Sequence, residues 1–190
     1  MNLSFVEKVI VVMIAVVAVF CAFFRYKSNN ATEIVAEKNP AVDLGMTIEK
    51  FCEKYNVAIL TVDSRLRQCT INPDKEKFEM YGNKKTFLHF FPDGVNMRGE
   101  IDLRTNRLTK IEIGCDVYHS RITEWLHSAI YDAAIATVSP NLTATERAEI
   151  IDAVEYETYT RKGSPIVVDG ITFHTSRYKG FVTSTIAPLN

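Results

Sequence analysis

The polarity pattern of the chain divides it in two. Residues 9 to 24, VIVVMIAVVAVFCAFF, are sixteen positions without a charge or a proline. With Phe5 and Val6 added, the apolar run reaches about 30 Å as a helix, enough to cross the hydrocarbon core of a bilayer. Glu7 and Lys8 fall within a turn of one end, where long side chains reach the headgroups. Phe20, Phe23, Phe24 and Tyr26 crowd the other end with Arg25 and Lys27, a composition typical of the membrane interface. No polar face interrupts the run, as it would on a surface helix of a globular protein. A cleaved signal peptide has a shorter apolar core followed by small residues. Here FFRYKSN follows instead, and Phe20 before Cys21 is too large for a lipid-modified cysteine site. The expectation is a retained signal anchor in residues 1–24, with residues 5–24 in the lipid bilayer.

Counting Lys8 against Arg25, Lys27 and Lys38 would put the C-terminal part in the cytoplasm. Long domains translocate largely regardless of such charges. Export is therefore expected: a single-pass protein of the cell membrane with its C-terminal domain extracytoplasmic.

Beyond the apolar run the pattern changes twice. Residues 25–42 are polar, carry Pro40 and show no sustained period, so they read as a linker. Residues 43–190 then alternate between helical and strand-like periods and are long enough for one domain with a sizeable core. In MTIEKFCEKYN, Ile48, Phe51, Cys52 and Tyr55 recur on one helical face, with Thr47 as N-cap. VAILTV at 57–62 and LRQCTI at 66–71 suggest short strands, with NPD as a turn. KFEMYG and TFLHFF read as strands, followed by a PDG turn. MRGEIDLRTNRLTKIEIG reads as a half-buried hairpin, with Ile101, Leu103, Leu108, Ile111 and Ile113 on its apolar side.

Two helices follow. SRITEWLHSAIYDAAIATV places Ile122, Leu126, Ala129 and Ala133 on one stripe, widened by Trp125 and Ile130 and ended by Pro140. NLTATERAEIIDAVEYETY opens with a Thr143/Glu146 capping box and buries Ile150, Ile151 and Val154. IVVDGITFHTSRYKGFVTSTI is strand-like, with tight turns at Asp169–Gly170 and Gly180. Strand and helix do not alternate regularly, so the fold class expected is α+β, an antiparallel sheet with helices packed on one face.

Charge changes the picture by exclusion. The chain has 22 Lys and Arg against 23 Asp and Glu, and residues 43–190 lean slightly acidic. A duplex-binding surface wants a basic excess, so no nucleic-acid partner is expected. Cys52, Cys69 and Cys115 have neither a metal-binding spacing nor a disulfide framework, and read as small buried hydrophobes.

Candidate chemistry is sparse. Phosphate-loop, dinucleotide, zinc-protease and nucleophile-elbow motifs are absent, so no catalytic residue, cofactor or metal is assigned. The tightest polar group is Cys115, Asp116, His119 and Ser120, where a strand hands over to a helix, and it is the place a hydrolase-type enzyme would use. Asp152, Glu155 and Glu157 read as a solvated helix face, and FLHFF as sheet core. The candidate binding residues are Arg177, Tyr178 and Lys179, at a hairpin tip with interface-type side chains. The sequence thus leads to a membrane-anchored, non-enzymatic binding or accessory domain of the bacterial envelope, whose partner is another envelope protein or a small ligand. A structural subunit of an envelope secretion or conjugation assembly is the alternative. Ala15, Ala18 and Ala22 on one anchor face would then allow close helix packing.

Overall fold

The computed structural model describes residues 43–116, 121–160 and 164–189, with the backbone alone for 156–160. The expected anchor and linker lie outside these. Among the described residues no helix is long and apolar enough to cross a membrane.

Helix α1 runs Ile48–Val62, capped by Thr47, whose hydroxyl accepts from the Lys50 amide. Its buried stripe is Ile48, Phe51, Cys52, Tyr55 and Ile59. The strand expected at 57–62 does not form, because the stripe simply continues by four from Tyr55 to Ile59. Burial of Ile59 in the core outweighs the strand preference of a short β-branched run. The strand expected at 66–71 is also absent. A 3-10 turn over Leu66–Cys69 sends Leu66 and Cys69, three apart, into the core instead. Beyond it, the Asn56 side chain takes both backbone groups of Ile71, accepting from its N–H at 2.7 Å and donating to its carbonyl at 2.8 Å. A polar side chain does there what a neighbouring strand would have done.

Seven strands follow: β1 Lys77–Tyr81, β2 Lys84–Phe90, β3 Asn96–Asp102, β4 Arg107–Asp116, β5 Ile166–Val168, β6 Ile171–Tyr178 and β7 Phe181–Pro188. They form one sheet in the order β1-β2-β3-β4-β7-β6-β5, antiparallel throughout. Two meanders start at opposite edges and meet in the middle, where β4 pairs with β7. Between them, α2 (Arg121–Val138) and α3 (Ala144–Thr160) carry the chain from the centre to the far edge. The domain is therefore α+β.

Side chains alternate across the strands. One row, Phe87–Gly99–Ile111–Ile186–Phe173, runs along the inner, buried face. Its neighbours there include Met97, Ile101, Leu108, Ile113 and Cys115. The opposite face carries Lys84, Arg98, Glu100, Lys110 and Glu112, joined in ion pairs at the surface.

Both capping features of α3 are made: the Glu146 amide donates to the Thr143 hydroxyl, and the Glu146 carboxylate accepts from the Thr143 amide at 2.7 Å. Arg147 ties α3 back to α2 through Asp132 at 2.5 Å. Ile150, Ile151 and Val154 are buried as the pattern predicts. Two assignments on the apolar stripes are corrected. Leu103 falls in the β3–β4 turn and is exposed. Ile122 and Trp125 also lie outside the core, 60% and 48% exposed. The small residues Ala129, Ala133 and Ala134, with Leu126 and Ile130, set the inward face of α2, and Ile122 and Trp125 sit outside that arc.

Candidate functional site

The β6–β7 hairpin that carries Arg177, Tyr178 and Lys179 is closed by two residues, Lys179 and Gly180, both with positive φ (48° and 84°). That is the twist-matched hairpin turn, in which glycine is at ease and lysine is strained. The strand alternation separates the three candidates. Arg177 pairs with Val182 and lies on the helix-covered side of the sheet, beside Cys115 in the next strand pair. Tyr178 pairs with Phe181 and lies on the open side. Lys179 sits at the tip, with its ammonium 5.2 Å from the Tyr178 ring centre. Sequence adjacency thus unites only Tyr178 and Lys179 on one surface.

What joins them was not visible in the chain order. Phe181 leans across from β7 onto Gly114 of β4: a Cβ on Gly114 would come 2.8 Å from the ring's Cζ and 3.3 Å from Asn96 Oδ1. Asn96 pairs with Gly114 on one side and Phe90 on the other. The open face therefore carries a strip across five strands: Phe90, Asn96, Gly114 under Phe181, and Tyr178. Phe90 is 69% exposed, Tyr178 71% and Phe181 43%. In FLHFF, Phe87 and Phe91 are core, as expected, while Phe90 points out. The absent side chain at Gly114 lets an aromatic ring lie down on the sheet.

The Cys115–Ser120 group divides at the limit of the described residues: Cys115 and Asp116 end β4, and His119 and Ser120 lie outside. Cys115 is buried, and burial pushes its thiol up to about 11, with the charges of Glu124 and Asp116 adding to the shift and Arg177 opposing it. A thiol held protonated is a poor nucleophile at neutral pH. Cys52 and Cys69 are likewise buried and free, and burial raises both. Among the described residues no group of three or more His, Cys, Asp and Glu side chains is arranged to hold a metal.

Other histidines have structural partners. His89 lies 2.8 Å from Glu76 and edge-on to Phe91. His127 is buried and donates through Nε2 to the Ile113 carbonyl at 3.1 Å. Burial lowers its pKa, and the Ile113 bond works the other way. Glu155 is not the solvated carboxylate that the sequence suggests. Burial first, then the charges of Asp152 and Glu124, hold its pKa above the usual carboxylate range.

The helix layer contains two neighbouring hollows. One, of about 440 Å³, lies between α1 (Glu53, Lys54, Val57, Ala58, Thr61, Val62) and the end of α2, Pro140 and Arg147 of α3. The other, of about 260 Å³, lies between α2 and α3, walled by Trp125, Ala129, Ala148 and Ile151 with Asp132 and Asp152 at its rim. Val62 borders both. No family model, curated protein or solved structure matches the chain.

Proposed function

We propose that this chain is a membrane-anchored binding domain of the bacterial envelope, held by residues 5–24, tethered by 25–42 and exposed outside the cytoplasmic membrane. Its partner is another envelope protein or a small ligand, met at the open face of the sheet. The single observation behind this reading is the strip of Phe90, Phe181 and Tyr178 left uncovered beside a cationic hairpin tip. Aromatic side chains with a polar edge supply large contact area at little conformational cost, which is why interfaces favour them. Lys179 strengthens the reading. A lysine in a left-handed turn position costs about 1 kcal/mol that glycine would not, and such strain is retained mostly at functional sites. Anchoring confines the domain to the membrane plane and raises its effective concentration near membrane-bound partners.

The test has two arms. For the anchor, carbonate-washed membranes should retain the full chain, and external protease should reach the domain in spheroplasts; release by carbonate, or protection from protease, refutes that arm. For the surface, a photo-crosslinker at Phe90 or Tyr178 should capture a discrete product in cells, whereas one at the exposed Met80, far along the sheet, should not. Equal capture from both positions would overturn the assignment of the strip.

A further inference from the structure

A second, differently charged surface lies on the other side of the molecule. The hollow between α2 and α3 is mainly apolar, and its wall includes Trp125, the only tryptophan of the chain, half exposed. Ile122, one turn earlier on α2, is also exposed and extends the apolar surface. Carboxylates edge this patch. Asp152 lines the hollow, Glu124 adjoins Trp125 in sequence, and Glu155 follows Asp152 by three. Among the described residues none of these three is in an ion pair. Asp132, also at the rim, is already matched by Arg147. In sequence α3 carries five acids against that one base.

We infer that this hollow is a docking groove for a basic amphipathic segment of another protein, an apolar side chain entering beside Trp125 and Lys or Arg meeting Glu124, Asp152 and Glu155. Charge complementarity fixes the occupant. Anionic lipid headgroups and nucleic acid would be repelled by the same carboxylates. An uncharged apolar partner would leave the carboxylates desolvated without compensation. A cationic helix supplies both halves, in the groove-binding manner in which one apolar face supplies the anchors. Burial, and after it the charges of Asp152 and Glu124, hold the Glu155 carboxyl above its ordinary range, and an incoming cation would offset the charge part of that shift. The neighbouring hollow across Val62 carries Lys54 and Arg147 in its lining, so the cationic segment is confined to the α2–α3 groove. This surface is distinct from the open-face strip, so the two readings stand or fall separately.

Because Trp125 is the sole tryptophan, its emission reports on this groove alone. The full chain is placed in nanodiscs of zwitterionic lipid and titrated with an amphipathic peptide of about 14 residues, Leu on one face and Lys on the other. Empty discs are subtracted. The expected result is a saturable blue shift of Trp125 emission that a Leu/Glu peptide does not give. A Ser/Lys peptide of equal charge, lacking the apolar face, should bind at least about tenfold more weakly. Combining Glu124→Gln, Asp152→Asn and Glu155→Gln should weaken Leu/Lys binding about tenfold or more, and high salt should do the same. Ala148→Leu, which fills the hollow from an exposed position, should also block binding, while Tyr178→Ala should leave it unchanged. Circular dichroism of each variant separates lost binding from lost folding. Equal shifts with the Leu/Glu peptide, wild-type affinity in the neutralised variant, or a blue shift produced by anionic vesicles in place of the peptide would each overturn the proposal.

Discussion

Gly99 and Gly114 each lie beneath a phenylalanine ring, one on each face of the same sheet. Above Gly99, the Phe87 ring is fully buried, and a Cβ would meet its Cε1 at 2.0 Å. Above Gly114, the Phe181 ring is partly exposed, and a Cβ would meet its outer edge at 2.8 Å and Asn96 Oδ1 at 3.3 Å. Phe87 faces Gly99 directly across its strand pair, whereas Phe181 faces Asp116 and reaches Gly114 diagonally, and the freedom of the two rings is opposite. On the inner face close packing fixes what each side chain may be. On the open face a ring can swing aside, so what stays there is held by weak contacts and is free to serve a partner.

The largest effect that would sharpen this contrast is Gly99→Ala, expected to cost about 3 kcal/mol in denaturant unfolding because neither Phe87 nor the helices above it can yield. A cost under about 1 kcal/mol would mean that the inner face is looser than its burial implies.

Next is His127, the buried imidazole bonded to the inner face through the Ile113 carbonyl. Its folded pKa lies below the unfolded value of about 6.5, so the unfolded chain binds more protons. The stability it contributes is present above about pH 6.5 and is lost as pH falls below that, by at most about 1.4 kcal/mol per unit. Stability measured from pH 7 to 5 should show this slope in the wild type and less of it in His127→Phe. Identical slopes would show that the imidazole becomes charged in place.

Gly114→Ala should be much milder, within about 0.5 kcal/mol of zero, since Phe181 can rotate outward. It should nonetheless unseat that ring and reduce crosslinking from Phe90 and Tyr178. A loss matching that of Gly99→Ala would erase the distinction between the faces.

Smallest is Lys84→Ala, at the charged end of the open face. Burial alone would raise the Glu100 carboxyl, but the Lys84 hydrogen bond and charge, with Lys110 and Arg98, hold it below the ordinary value. Exposed pairs contribute little, so a loss of about 0.5 kcal/mol or less is expected, vanishing in high salt.

Local chemistry was the legible part of this fold. Thr143 and Glu146 spell the α3 cap, Asp169–Gly170 spells a hairpin, and the alternation in β3 and β4 gives their inner face. Residues 57–62, a β-branched run, and 66–71, a mixed one, are both too short to carry a period of their own. Tertiary contacts of Ile59, Leu66 and Cys69 decided their conformation. Of the candidate surfaces, the hairpin tip was readable as a turn with interface residues. The lean of Phe181 onto Gly114 was not, since it joins strands distant in sequence. The apolar neighbours of Trp125 on α2 point it inward in the sequence. Only the packing of the small alanines shows which arc of that helix is covered.

The meeting of β4 and β7 at the middle of the sheet also bears on how the domain assembles. During synthesis the first meander and α1 can form early, but Ile111 to Asp116 must wait for Phe181 to Ile186 before that side of β4 is paired. Until then an apolar strand edge stands open, the kind of template on which chains associate wrongly. Closure of the sheet is therefore a late, long-range event, and the nascent chain is most in need of protection in the interval before it.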